Sequence, residues 1–140
     1  MRKAAIMVAM LVAASVAGAA TAQGGAPEPF RVFFDWGKPV ITRDAASVLT
    51  DAATAFLREP GAKLRLSGHA DRSGPAGSNR LSALRRAEAV RDHLAARGVP
   101  REAMTLLSFG EERPLVATED GVREVQNRRV EISFGDGSRR

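Results

Sequence analysis

Four stretches of the chain have the residue pattern of β-strands. Residues 63–68 (KLRLSG) and 129–134 (RVEISF) alternate apolar and polar positions, as a strand with one buried face does. The run 30–36 (FRVFFDW) is aromatic and β-branched, and 104–110 (MTLLSFG) is largely apolar. The pattern therefore predicts four strands, each with a face that packs on a core.

Two longer segments repeat apolar residues every three or four positions, which predicts amphipathic helices. The first is expected to begin at the capping residue Thr42, with Asp44 in its first turn, and to stop at Pro60-Gly61. The second is expected to end near Gly98, a residue suited to the C′ position. Its predicted apolar stripe consists of Leu81, Leu84, Ala87, Val90 and Leu94.

The order strand, helix, strand, helix, strand, strand predicts one α+β domain over residues 30–134, with helices packed on one face of a mixed sheet. Strands joined through a helix are expected to be parallel neighbours. The last two strands, separated by the long polar loop 111–125, are expected to be antiparallel.

Residues 1–22 have the pattern of a secretory signal peptide. Arg2 and Lys3 precede an apolar run over 4–18, and Ala20-Thr21-Ala22 matches a cleavage site. The run has 15 residues, fewer than the roughly 20 that a membrane-crossing helix needs. We expect cleavage before Gln23, which leaves no membrane span; an uncleaved signal that tethers the domain to the inner membrane is the alternative.

Short segments on either side of the domain are predicted to lack regular structure. Residues 23–29 (QGGAPEP) are expected to form a flexible linker, and residues 135–140 (GDGSRR) a disordered tail.

Composition narrows the possible functions. The chain has no cysteine, so it forms no disulfide or thiolate metal site and offers no acylated cysteine as a lipid anchor. The net charge is +5, and 18 of the 21 basic residues are arginines scattered among acids. Because aromatic residues make up only 5% of the chain, a nucleic-acid partner is not expected.

The segment 67–90 contains the most informative chemistry. Asp71 follows the second strand, and Arg85 and Arg86 lie two turns into the second helix, so that opposite charges face one crevice. A zwitterionic ligand would suit such a crevice, since the planar guanidinium group can hold a carboxylate through two parallel hydrogen bonds. Gly74 and Gly77 would let the loop backbone approach a ligand closely.

Several separated motifs resemble the OmpA-like C-terminal domain, which is shared with the peptidoglycan-associated lipoprotein and flagellar stator proteins. The resemblance covers roughly residues 30–134, nearly the whole predicted mature chain. The motifs, in chain order, are FFDWGKPVITRDA, SGHADRSGP, NRLSALRRAEAVRDHLAARGV, FGEERP and QNRRVEI.

The resemblance implies non-covalent binding of peptidoglycan through the diaminopimelate of its stem peptide. Carried over to this chain, Asp71 would meet the ammonium of the ligand and Arg86 its carboxylate, while Asn79 is the loop asparagine of the family. Gly74 would line the approach of the ligand. Arg128, in the N-R-R motif, is interpreted as structural bracing or a rim contact.

The register of the second helix leaves one alternative open. Counted from Asp71 or Ala87, the arginine of the family is Arg86, but counted from Leu81-Ser82 it is Arg85. A shift of one residue turns a helix by about 100°, so only one of the two can face the crevice. We favour Arg86, because the residues that follow it continue the family pattern.

The expected role is that of an exported module in the periplasm or cell envelope, with association with the outer membrane as one option. An enzyme is not expected, because the sequence offers no nucleophile with a plausible base, and no cofactor is implied. His69 and Asp71 suggest no metal site, since His93 is the only other histidine and lies far along the chain. An envelope protein-protein interaction module is the alternative function.

Overall fold

The computed structural model describes residues 28–135. The predicted signal peptide lies outside the described residues, as do nearly all of the predicted linker and tail. The described elements are β1 (Phe30–Phe33), α1 (Arg43–Leu57), β2 (Leu64–His69), α2 (Ala76–Ala95), β3 (Met104–Gly110) and β4 (Arg129–Phe134), with single 3-10 turns at Arg101–Ala103 and Val125–Asn127.

The four strands form one mixed sheet in the order β1-β4-β2-β3. Strands β2 and β3 are parallel, and β4 runs antiparallel to both β1 and β2. Both helices contribute to a single apolar core with the sheet, which confirms the predicted α+β architecture. No helix within residues 28–135 is long and apolar enough to cross a membrane.

The expected neighbours are wrong for two pairs of strands. Strands β1 and β2 are not neighbours, because β4 lies between them, and β3 and β4 are therefore not paired. In this position β4 forms backbone hydrogen bonds on both edges and buries Val130 and Ile132 in the core. The apolar alternation of β4 specifies which of its faces is buried, but it does not specify which strands lie beside it.

In the connection between β1 and α1, the sequence predicts the start of the helix correctly but not the end of the strand. Helix α1 begins as expected, since the Thr42 hydroxyl accepts a hydrogen bond from the Ala45 N–H at 3.1 Å. Strand β1 is shorter than expected and ends at Phe33 rather than Trp36. The Phe34 N–H still donates to the Arg128 carbonyl, and a turn with Gly37 at a φ of 69° then redirects the chain.

The predicted apolar stripe of α2 is wrong in its first half. Leu81 is 48% exposed and Leu84 is only partly buried, whereas Ala83 and Arg86 are buried. The cause is a close approach to β2, because a Cβ atom on Gly68 would lie 2.1 Å from the Ala83 carbonyl oxygen. Only small residues of the helix fit against the sheet at this point, and the leucines lie to either side.

We expect Gly68→Ala to destabilise the protein by about 1–3 kcal/mol or more, because the new methyl group meets backbone rather than a movable side chain. Gly77→Ala is the control, since Gly77 lies in the first turn of α2, the helix that packs on Gly68, and its added methyl group meets nothing within 4 Å. Urea unfolding measures both variants, and equal free energies of unfolding would contradict the close approach.

Candidate ligand-binding site

A cavity of about 190 Å³ lies where β2 ends and α2 begins. Its wall combines the turn after β1, the loop between β2 and α2, and the first turns of α2. Four of the five predicted site residues line it, namely Asp71, Gly74, Asn79 and Arg86, together with Trp36, Gly37, Ala70, Ser73, Ser78 and Ser82.

Asp71 is buried, with 4% of its side chain exposed, and its carboxylate accepts four hydrogen bonds. One oxygen accepts from the Ser73 N–H at 3.2 Å and the Ser73 hydroxyl at 2.5 Å. The other accepts from the Glu124 N–H at 3.1 Å and Arg128 Nη1 at 2.8 Å. Burial alone would raise the pKa of Asp71, but these donors outweigh it and hold the pKa below its usual value.

Arg128 does not line the cavity, but it contacts Asp71, which does. Its side chain is almost fully buried, and Nε donates to the Phe34 carbonyl oxygen at 3.0 Å while Nη1 pairs with Asp71. Of the two interpretations of Arg128, structural bracing and rim contact, these internal contacts correspond to bracing. The neighbouring Asn127 is also structural, because its side chain hydrogen-bonds the backbone of Leu115 and Val116.

Arg86 is a buried cation with few partners. Its side chain is 2% exposed, Nε has no hydrogen-bond partner among residues 28–135, and Nη1 reaches the His69 carbonyl oxygen only at 3.4 Å. Burial lowers the pKa of Arg86, and the positive charge of Arg128 lowers it further, while Asp71 acts in the opposite direction. Arg85, one position earlier on the helix, is exposed.

Asn79 joins the loop before α2 to the loop after β3. Its side-chain nitrogen donates to the Gly74 carbonyl oxygen at 2.8 Å and to Glu111 Oε2 at 2.9 Å. Gly74 leaves room for this contact, because a Cβ atom there would lie 3.3 Å from Asn79 Oδ1. Asn79 therefore fixes the cavity wall as well as lining it.

Trp36 and Ser73 were not among the residues that the sequence singled out for the site. The indole Nε1 of Trp36 donates to Ser73 Oγ at 3.0 Å, and Ser73 in turn donates to Asp71. Both residues lie inside the motifs that carry the family resemblance, but their contact joins positions 37 residues apart. The available signal was position in a motif, which does not reveal where a side chain points.

The imidazole ring of His69 is buried at the end of β2. Neither ring nitrogen has a hydrogen-bond partner among residues 28–135, and the ring stacks on Phe109 with centroids 5.4 Å apart. Burial, followed by the charge of Arg129, lowers the pKa of His69 to about 4, although Glu131 acts to raise it. No group of three metal-ligating side chains occurs within the described residues.

Comparison with known proteins identifies the family. The sequence profile of the OmpA family matches residues 33–128. The peptidoglycan-associated lipoprotein of Brucella melitensis is 37% identical over 119 residues, which cover 81% of this chain and 71% of that protein. This chain belongs to the OmpA family.

Two further relatives show which region of the chain is shared. An outer membrane protein of Gluconacetobacter diazotrophicus is 39% identical over 116 residues, covering 76% of this chain but only 31% of that protein. The crystal structure of the peptidoglycan-associated lipoprotein from Burkholderia pseudomallei is 28% identical, with a TM-score of 0.69, and the match covers 75% of this chain and 89% of that one. The shared region is thus the α+β domain itself.

His69 should make the fold sensitive to acid. The unfolded chain takes up a proton near pH 6.5 and the folded chain only near pH 4, so stability falls as the pH drops through this window. The loss from this group is up to about 3 kcal/mol, complete at about pH 4. We expect His69→Gln to flatten the dependence of the unfolding free energy on pH between 7 and 4.

His93→Gln is the control. Burial also lowers the pKa of His93, but His93 is less buried than His69, so its replacement should change the pH dependence less. Urea unfolding at several pH values provides the measurement. If His69→Gln kept the slope of the wild-type protein, the unpaired burial of the imidazole would be refuted.

Proposed function

We propose that this chain is a non-covalent peptidoglycan-binding module of the bacterial cell envelope, and that Asp71 and Arg86 recognise the diaminopimelate of the stem peptide. The observation that carries the proposal is the buried guanidinium group of Arg86, which lines a cavity beside Asp71 and has few partners of its own. The names of the peptidoglycan-associated relatives support the choice of polymer.

The carboxylate of the ligand has a suitable partner in Arg86. A buried cation with an unpaired Nε gains more from an anion than an exposed cation does, because water does not already satisfy it. Ser78 and Ser82 line the same wall, and the first turn of α2 has no side-chain cap, so that its backbone N–H groups also favour an anion.

The ammonium group of the ligand has Asp71 as its partner. The hydrogen bonds to Asp71 lower its pKa, so it carries a negative charge at neutral pH. Since its oxygens already accept four hydrogen bonds, an ammonium group would share an oxygen with the Ser73 hydroxyl or replace it. The ion pair with Arg128 keeps the carboxylate in place during that exchange.

A binding role without catalysis is part of the proposal. Neither histidine lines the cavity, so no imidazole lies there to act as a general base for its serines. An envelope protein-protein interaction module is the second candidate, favoured by the exposed apolar residues Leu115 and Val122 on the loop after β3. The proposed location is the periplasm, with the outer membrane as one site of association, and it depends on the predicted signal peptide. Mass spectrometry would detect a mature chain that begins at Gln23.

We expect the purified protein to co-sediment with diaminopimelate-type sacculi and Arg86→Ala to lose binding. The cost of removing a desolvated charged partner is about 2–5 kcal/mol, roughly 30-fold to several thousand-fold in affinity. Asp71→Asn should have a similar effect while it preserves the side-chain shape. Arg85→Ala is the matched control, because Arg85 is an exposed arginine on the same helix.

Two further preparations test the chemistry of recognition. Sacculi with lysine in place of diaminopimelate, or with an amidated diaminopimelate carboxyl group, should bind more weakly, because Arg86 loses its anion. Thermal unfolding of each variant separates lost binding from lost folding. Retention by folded Arg86→Ala and Asp71→Asn, equal to that of Arg85→Ala, would refute the proposed site.

A further inference from the structure

Trp36 stands at the mouth of the cavity with an arginine stacked on it. The indole ring is 47% exposed and also lines the cavity that contains Asp71 and Arg86. The guanidinium carbon of Arg123 lies 3.6 Å from the ring centroid. The loop after β3 therefore contributes a cation to the entrance of a site whose floor is formed by other elements.

The charge of Arg123 is not neutralised within residues 28–135. None of the ion pairs in the described part of the chain includes Arg123, and its side chain is exposed. Arg72, the other arginine near this entrance, differs because it pairs with Asp120 and donates to the Thr118 carbonyl oxygen. Stacking on Trp36 holds the Arg123 fork in one orientation while its N–H groups stay available.

Trp36 is itself fixed in place. Its Nε1 donates to Ser73 Oγ, and the same hydroxyl donates to Asp71. A ligand that extends from the cavity past Trp36 would meet a fixed aromatic ring and then the Arg123 guanidinium group. A rigid aromatic side chain gives a large contact area at low cost in conformational entropy, which is why tryptophan often dominates binding energy.

The balance of charge also favours an additional anion. Three cations lie in or around the site, namely Arg86 in the wall, Arg128 behind Asp71 and Arg123 at the entrance, against two acids, Asp71 in the wall and Glu111 bonded to the wall residue Asn79. One carboxylate and one ammonium group on the ligand add no net charge. A second carboxylate on the ligand would improve the match.

We propose that Trp36 and Arg123 form a rim subsite that binds a second free carboxylate of the same ligand, outside the cavity. This inference rests on the proposed function. The ligand class is a peptide in which diaminopimelate is joined to a residue with its own free carboxyl group. Trp36 packs against the aliphatic part of that residue, and Arg123 pairs with its carboxylate.

The test uses two synthetic tripeptides in which diaminopimelate follows a glutamate whose α-carboxyl group is either free or amidated. Trp36 is the only tryptophan of the chain, so its fluorescence reports binding at the rim directly. Calorimetry measures the dissociation constants of all variants. We expect the wild-type chain to bind the free form about five-fold more tightly, as for a solvent-exposed ion pair.

Arg123→Ala should remove this preference and still bind the amidated peptide as the wild type does. Trp36→Phe keeps an apolar ring and should retain part of the preference, while Trp36→Ala should lose it. Arg85→Ala, an exposed arginine outside the cavity wall, is the control and should keep the preference. Arg86→Ala should lose both peptides.

The outcomes separate the two proposals. A wild-type chain that binds both peptides equally, or an Arg123→Ala variant that keeps the preference, overturns the rim subsite and leaves the proposed function standing. A wild-type chain that binds neither peptide, or an Arg86→Ala variant that binds both normally, overturns the proposed site and the rim subsite with it.

Discussion

The ion pair between Asp71 and Arg128 holds together the end of the molecule that carries the site. It joins the end of β2 to the start of β4. Arg128 also donates a hydrogen bond to the Phe34 carbonyl oxygen after β1, and Asp71 also accepts one from the Glu124 N–H of the long loop. Removing both charges from water costs several kcal/mol per ion. The attraction between the two ions offsets this cost only because hydrogen bonds satisfy the other donor and acceptor atoms of the two side chains. Three irregular segments, which follow β1, β2 and β3, thereby gain a fixed geometry that their own backbones do not provide.

The same ion pair explains why Arg86 is suited to a ligand. Arg128 is committed to Asp71, so the carboxylate has little capacity left for a second arginine. Arg86 is left with a long contact to the His69 carbonyl oxygen and a cation-π contact with the Phe34 ring, whose centroid lies 5.7 Å away. Arg86 and Arg128 also repel each other, which adds to the effect of burial in lowering the pKa of Arg86. A buried cation that is left underpaired lowers the stability of the fold, and the proposed carboxylate ligand would supply the missing partner, a trade that functional sites commonly make.

Local patterns predicted the elements well, and long-range contacts explain what they missed. Strands β3 and β4 have the predicted limits, and α1 has its predicted cap, because alternation and capping act over a few residues. The position of β4 in the sheet depends on partners far along the chain. In the site, Asp71 and Arg86 were found through a family motif, whereas the stacking of Arg123 on Trp36 joins two loops and has no local signature.

The apolar stripe predicted for α2 is wrong in its first half because the helix has two roles. Its second half packs in the core, and its first half forms part of the cavity wall. Its second half has the apolar inner face expected of a core helix, with Val90 and Leu94 fully buried. Its first half turns Ala83 toward Gly68, so that the helix axis approaches the sheet and the Arg86 guanidinium group reaches the strand ends. Leucines on that face would hold the helix away from β2. The periodicity of the sequence therefore predicts the half that stabilises the fold and fails in the half that forms the cavity, where small and polar residues are buried instead.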